Sequence, residues 1–165
     1  MAQPPRVSCQ DKTGQAFAAA ACGPELCQAL WEMYDRFEPK GWAQGLPPHD
    51  PHTRHAWVEA VLAKGHNFVL YREEEVIGHA ALLPDTRRRD AELIVFLLPA
   101  FQNRGLGSAL TQLAMDKAAE LGLCKLFLEV AARNTPAIRL YRKFRFEFCD
   151  QDWESERVMV CTLVD

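Results

Sequence analysis

The segment Gln102-Asn103-Arg104-Gly105-Leu106-Gly107 sets two glycines one residue apart, between an apolar run and an amphipathic one. The first turn of a helix carries unpaired backbone N–H groups and a partial positive charge. Glycine lets a phosphate come close to that backbone. A strand, a glycine loop and a helix in this order make a cradle for an anion. A Walker loop would need Gly-Lys followed by Ser or Thr, which this segment lacks. A Rossmann fingerprint would need a third glycine near Leu110 and an early βαβ unit, and neither occurs. For the hexapeptide alone, a turn that uses glycine only for packing is the alternative.

Upstream of the loop, Glu92 is the lone charge in the apolar run 91–98. A carboxylate in such a run must find a partner or hold its proton more tightly. That suits a proton acceptor, acting directly or through water. A strand-end glutamate facing solvent is the alternative, and Asp90 stands beside it as a substitute. Downstream, Tyr141 shares a helical face with Ala137, Leu140 and Phe144, where a core tyrosine would look the same. The histidines at 49, 52, 55, 66 and 79 form no metal motif.

The elements that must position these residues read as follows. Residues 91–98 predict a strand covered on both faces. Residues 105–121 predict a helix with Leu106, Leu110, Leu113, Ala114 and Leu121 on one side, closed by Gly122 as a C-cap. Strand 125–130, helix 134–144 and strands 146–149 and 157–164 follow. Before the loop come strands 7–10 and 15–20 around a turn at 11–14. A helix then starts at Gly23-Pro24-Glu25, with Leu26, Leu30, Met33 and Phe37 at helical spacing. Residues 37–51, rich in Pro, Gly and Trp, read as irregular. Helix 53–63 and strands 68–71 and 76–83 complete the order ββ-αα-βββ-α-β-α-ββ.

In this context the loop resembles the acyl-CoA loop of the GNAT superfamily of N-acetyltransferases. Its pattern is Arg or Gln, two residues, Gly, one residue, then Gly or Ala, and Gln102, Gly105 and Gly107 match it. Residues 91–107 look like the family's fourth strand and phosphate loop. Asn134, Ala137, Leu140 and Tyr141 fit the Asn-x-x-Ala-x-x-Leu-Tyr segment that follows its fifth strand. The resemblance covers residues 67–148. The hairpin-like stretch before Pro24-Glu25 is also similar to some bacterial protein-lysine acetyltransferase domains. One departure is Arg145, where the family usually carries glycine just after the helix. A left-handed C-cap on a non-glycine residue costs on the order of 1 kcal/mol.

The resemblance implies an α/β chain of α+β type. Its mixed, mostly antiparallel sheet of about seven strands is splayed between the family's strands 4 and 5 and flanked by four helices. It implies transfer of an acetyl group from acetyl-CoA, as co-substrate, to a primary amine by direct attack in a ternary complex. A catalytically silent acyl-CoA-binding sensor or interaction module is the rival reading. Gln102, Asn103, Arg104, Gly105, Leu106, Gly107 and Ser108 would hold the pyrophosphate. The backbone of Val95, Phe96 and Leu97 would line the slot, with Leu97 and the residue before it donating hydrogen bonds there. Asn134 would contact CoA or cap the next helix. Tyr141 would be the general acid, since a phenol of pKa near 10 holds its proton at neutral pH. Glu92 would be the base, with Asp90 or a water chain still open. The connection between the first two helices would line the acceptor pocket, with Phe37, Trp42, Leu46, Pro47 and Pro48 as its exposed surface.

Composition sets the outer limits. The 165 residues predict one domain, 1–165. A net charge of −3 gives no basic footprint for nucleic acid. No apolar run reaches about 18 residues, so no membrane span is expected. No cationic, apolar leader opens the sequence. Cys9, Cys22, Cys27, Cys124, Cys149 and Cys161 form no Cys-x-x-Cys pair and read as reduced core thiols of a cytoplasmic protein. No metal is expected. The charged turns Glu73-Glu74-Glu75 and Arg87-Arg88-Arg89 read as solvated, or as recognition points for a charged acceptor. The expected partner is an amine, whether a protein lysine or N-terminus, a polyamine or another small amine; a homodimer stays open, as does a longer acyl donor.

Overall fold

A computed structural model describes residues 2–41, 45–85, 87–149 and 156–163. Strands β1 (Val7–Gln10) and β2 (Ala16–Cys22) lead through a 3-10 turn (Pro24–Leu26) into helix α1 (Cys27–Arg36). Helix α2 (Pro51–Lys64) precedes β3 (His66–Arg72), β4 (Glu75–Pro84) and β5 (Asp90–Leu97). A second 3-10 turn (Pro99–Phe101) opens onto α3 (Leu106–Glu120), followed by β6 (Lys125–Ala131), α4 (Thr135–Lys143), β7 (Glu147–Phe148) and β8 (Glu156–Thr162). The element order is the expected one. The strands form one sheet of eight in the order β1-β2-β3-β4-β5-β6-β8-β7. Every pairing is antiparallel except that of β5 with β6.

That exception is the central feature of the fold. Strands β4 and β5 stay paired from Pro84↔Ala91 to Gly78↔Leu97. Strands β5 and β6 pair only from Asp90↔Lys125 to Glu92↔Phe127. Beyond Glu92 they part, and the sheet forks. This is the splay expected between the counterparts of the family's fourth and fifth strands.

The two faces of β5 are covered differently. On one, Phe96 packs edge-on against Tyr34, Phe37 and Trp57 of the α1–α2 region, with ring centroids 5.6, 5.2 and 6.1 Å away. On the other, α3 seats on β4 at Gly78. A Cβ there would lie 2.6 Å from Leu97 Cδ2 and 3.0 Å from Leu110 Cδ1. Leu106, Leu110, Leu126 and Leu128 are almost wholly buried, each worth about 1.5–3 kcal/mol of transfer free energy.

A buried polar triad braces the first face. Asn67 Nδ2 donates to Val61 O and Gly65 O, which leaves Oδ1 as its acceptor. His79 Nε2 therefore carries the proton and donates to that oxygen at 2.8 Å. Nδ1 then accepts from the Tyr34 hydroxyl at 2.6 Å. Burial pushes the His79 pKa down to about 3, so the ring is neutral and fully committed.

Several expectations need correction. Phe37 is 4% exposed and Pro47 is buried, so neither is surface. The Phe37 ring leaves water by packing between Tyr34 and Phe96. Leu46 and Pro48 are half-buried, and Trp42 lies outside the described residues. The charged turns are solvated as expected, Glu75 alone being half-buried, and they also carry surface contacts. Glu74 pairs with Arg6, Glu75 with Arg36 and Arg72, and Arg89 donates to Gly122 O. None of the cysteines is in a disulfide, but only Cys161 is fully buried; Cys149 is exposed and the rest are half-buried. Among the described residues no helix is long and apolar enough to cross a membrane. No group of His, Cys, Asp and Glu among them could hold a metal ion.

Candidate active site

The glycine loop turns on two left-handed residues, Asn103 (φ 62°) and Gly105 (φ 84°). Asparagine tolerates that region better than most side chains, and glycine adopts it freely. Gly105 is the N-cap of α3, and it supplies no side chain. The other helix starts near the site are closed. Asp50 accepts from Thr53 N at the start of α2, and Asn134 accepts from Ala137 N at the start of α4. Helix α3 has neither a side-chain cap nor an acid in its first turn. The amides of Leu106, Gly107 and Ser108 are thus left for an external acceptor.

Packing fixes the loop in place. Gln102 Nε2 donates to Leu97 O at 3.0 Å, tying the loop to the end of β5. A Cβ on Gly107 would lie 3.0 Å from Leu140 Cδ2 and 3.6 Å from Leu97 Cδ1. Glycine at 107 therefore lets α4 close against the loop, one residue from Tyr141. Arg104 already has partners on the hairpin side. Its Nη1 donates to Gln15 Oε1 at 3.3 Å and lies 3.5 Å from Asp11 Oδ2.

At the fork, strand parity decides which backbone groups are open. Leu98 N donates to Ile77 O, and the β4–β5 register continues that pattern. Even-numbered residues of β5 thus turn their N–H toward β4. Val95 and Leu97 face the open side, where β6 has left. Phe96 does not; its amide belongs to the β4 ladder and its ring to the aromatic cluster. Of the pair expected to donate into the slot, Leu97 and the residue before it, Leu97 faces the open side and Phe96 does not; Val95 is the next amide that does.

Glu92 is the last β5 residue paired with β6, so it stands where the strands part. It is half-buried, and its pKa is raised, first by burial and then by the charge of Glu129. Asp90 lies one strand repeat behind it, in the closed part of the sheet. Glu129 was not singled out from the sequence. It lies two residues beyond Phe127, the partner of Glu92, and so on the same face of the sheet. Its Oε2 is buried with no hydrogen-bond partner among the described residues. Burial, then the charge of Glu156, raises its pKa. The available signal was that Glu129, like Glu92, is the lone charge in an apolar strand run, 126–130.

On α4, the Asn134 side chain is engaged in capping, its Oδ1 accepting from Ala137 N at 3.3 Å. Tyr141 is 7% exposed, and its ring packs edge-on against Phe146 at 5.8 Å. Burial raises its pKa well above the usual phenol value. Arg145 does adopt the left-handed conformation, with φ 66°. Arg145 N donates to Arg142 O and Phe146 N to Tyr141 O, the paired bonds of a Schellman ending. The helix thus closes as the family's glycine would close it, with Phe146 folded back onto Tyr141.

A forked sheet beside an uncapped, glycine-opened helix defines the class, and the comparisons with known proteins agree. Residues 27–146 match the model of the acetyltransferase (GNAT) family, and the chain belongs to that family. It is 33% identical over 100 residues to a spermine/spermidine N(1)-acetyltransferase of Bacillus subtilis, a stretch covering 55% of this chain and 66% of that protein. Among solved structures it resembles the GNAT domain of Streptomyces lividans PAT, with TM-score 0.79 and 14% identity over 96% of this chain and 97% of that one. It also resembles YncA of Salmonella typhimurium, solved with its cofactor acetyl-CoA, with TM-score 0.72 and 23% identity over 90% and 95% of the respective chains. At those identities the structural likeness speaks for the fold.

Proposed function

We propose that the chain is a single N-acetyltransferase domain that moves an acetyl group from acetyl-CoA to a primary amine by direct attack in a ternary complex. The observation that carries this reading is the fork at Glu92, opening beside the uncapped start of α3. The amides of Leu106, Gly107 and Ser108 take the pyrophosphate. The Leu97 and Val95 N–H groups serve the thioester carbonyl and the arm that leads to it. A donor aimed at the developing oxyanion is worth about 2.7–4 kcal/mol.

The acceptor nitrogen attacks the carbonyl carbon, and the C–S bond breaks as the tetrahedral centre collapses. Tyr141 gives its proton to the departing thiolate. Burial keeps that phenol protonated at neutral pH, so it arrives ready to donate. Glu92 or Glu129 takes the proton from the amine. Their raised pKa values bring a carboxylate closer to the operating pH of a base. The same carboxylates favour a cationic amine over a neutral acceptor. The polyamine acceptor named for the Bacillus subtilis relative supports that class.

Tyr141→Phe tests the assignment. The ring and its contact with Phe146 survive, so melting temperature and acetyl-CoA affinity should hold. Turnover with a polyamine acceptor should fall by about 10²–10⁴-fold. Unchanged turnover in an assay limited by chemistry would return Tyr141 to a packing role. Tight acetyl-CoA binding by the wild type, with no turnover on any amine, would instead identify a silent acyl-CoA-binding module.

A further inference from the structure

We infer that Lys12, at the tip of the β1–β2 hairpin, is a phosphate-binding residue of the donor site and pairs with the pyrophosphate held by the α3 loop. This inference rests on the acetyl-CoA reading above. Sequence spacing gives no hint of it, because Lys12 lies far along the chain from the loop.

The hairpin tip is built to a fixed shape. Asp11 Oδ1 accepts from Thr13 N at 2.8 Å, Thr13 Oγ1 at 2.6 Å and Gln15 N at 3.0 Å. Gly14, at φ 88°, completes the turn with a bond from its N to Asp11 O. The turn is then fastened to the phosphate loop. Lys12 N donates to Arg104 O at 3.0 Å, and the Arg104 guanidinium reaches back to Asp11 and Gln15. Behind this tie, Phe17 of β2 meets Phe101 edge-on at 6.1 Å. The hairpin therefore cannot drift relative to the start of α3.

Two consequences follow for charge. Arg104, the cation within the loop itself, is held by an Asp11 side chain that has no exposed surface. Its charge is set against that carboxylate, with Nη1 3.5 Å from Asp11 Oδ2. Lys12 is different. Its Cγ and Cε both come within 3.6 Å of the position a Cβ would take on Gly105, so the stem lies across the loop. The residue is exposed, and no ion pair engages its ammonium among the described residues. The next atom beyond Cε is Nζ, so the ammonium is carried on a stem that already lies against Gly105, the residue that opens α3. A diphosphate carries about two negative charges, and α3's partial positive end balances only about half of one. A lysine point charge fits this need without the fixed fork of arginine. Gly105 is required by its backbone, at φ 84°, and a Cβ there would only touch the stem at 3.6 Å.

The test compares wild type with Lys12→Met and Lys12→Arg by calorimetry at low and high salt. The probes are acetyl-CoA, dephospho-CoA in its S-acetylated form, which lacks only the 3′-phosphate, and S-acetylpantetheine, which lacks all phosphates. Both variants keep the backbone bond to Arg104, so melting temperature should not change. Lys12→Met should weaken acetyl-CoA and dephospho-CoA alike, by about fivefold to tenfold at low salt and less at high salt, as for a partly exposed ion pair. S-acetylpantetheine should bind both proteins equally, and Lys12→Arg should recover most of the loss. Equal acetyl-CoA affinity of wild type and Lys12→Met overturns the inference. A loss seen with acetyl-CoA but not with dephospho-CoA also overturns it, by moving the contact to the 3′-phosphate. Failure of the wild type to bind acetyl-CoA at all would instead sink the proposed function.

Discussion

Helices α3 and α4 flank the fork and end in the same way, yet they begin in opposite ways. Helix α4 is closed at its start by its own Asn134 and carries the proposed acid as a side chain, Tyr141, two turns further on. Helix α3 begins at a glycine with no cap, so what it offers is backbone. An uncapped start leaves polar groups that must find a partner, in water or in a ligand. A capped start leaves fewer, and frees the rest of the helix to position a side chain. The proposed donor site thus joins two kinds of surface: amides that would recognise an anion whatever their side chains, and a phenol that depends on side-chain identity.

The largest expected effect attacks the backbone half. Gly107→Glu sets a carboxylate against the α3 amides and drives a Cβ toward Leu140, 3.0 Å away. Acetyl-CoA affinity should drop by at least about 100-fold, since opposed like charges cost several kcal/mol. Gly107→Ala separates the causes: it adds the crowding without the charge, and should cost far less. Calorimetry on variants shown to be folded reads both. Unchanged affinity in folded Gly107→Glu would place the cradle elsewhere and dissolve the contrast between the helices.

The two halves were not equally legible in the sequence. The element order and the α3 loop depend on local signals: glycine spacing, apolar periodicity and the Gly122 ending. Each is local to its own element and appears in the structure, except that Leu121, read as part of the apolar side of α3, is 40% exposed at the helix end. What was missed depends on pairing across the sheet. Glu129 reaches the fork because β5 and β6 stay together only to Phe127, a property of neither strand alone. The amide of Phe96 is lost to the slot through the parity of the β4–β5 register. Arg104 is drawn away by Asp11, which a hairpin from the other end of the sheet brings over the loop. Phe37 reads as part of an irregular loop, yet the rings of Tyr34 and Phe96 bury it.

The next effect lies between the helices, at the paired carboxylates. Glu92→Gln and Glu129→Gln should each lower turnover, the base by about 10²-fold or more and its neighbour by less. The base works ionised, so activity should rise with pH through its raised pKa. Glu129 is one of the groups that push the Glu92 pKa up, after burial. If Glu92 is the base, Glu129→Gln should therefore move the acid limb to lower pH, while Glu92→Gln loses most at neutral pH and recovers as the free amine deprotonates. The reverse pattern assigns the base to Glu129. Because the two titrate as a pair, complete pH–rate profiles are needed rather than one rate. Profiles of both variants superimposable on wild type would leave neither as a base.

The smallest expected effect concerns where the helices agree. Gly122 (φ 67°) and Arg145 (φ 66°) are both left-handed. Gly122 N donates to Ala119 O and Leu123 N to Ala118 O, while Arg145 N donates to Arg142 O and Phe146 N to Tyr141 O. The bonds are the same, so the difference is the side chain. A residue with a Cβ in this region is strained by roughly 1 kcal/mol. Arginine returns part of that, because a cation near a helix C-terminus is worth about 0.3–1 kcal/mol. However, Arg142 and Lys143 already stand in the last turn of α4. A third cation adds little there, and the strain should win. Arg145→Gly should therefore stabilise the protein by about 0.5–1 kcal/mol, raising the melting temperature by about 1–4 °C. Gly122→Ala should cost a similar amount at the other helix. Acetyl-CoA affinity should not move in either variant, since neither residue belongs to the cradle. If Arg145→Gly melts lower than wild type, the guanidinium contributes more at this helix end than the strain of its backbone costs.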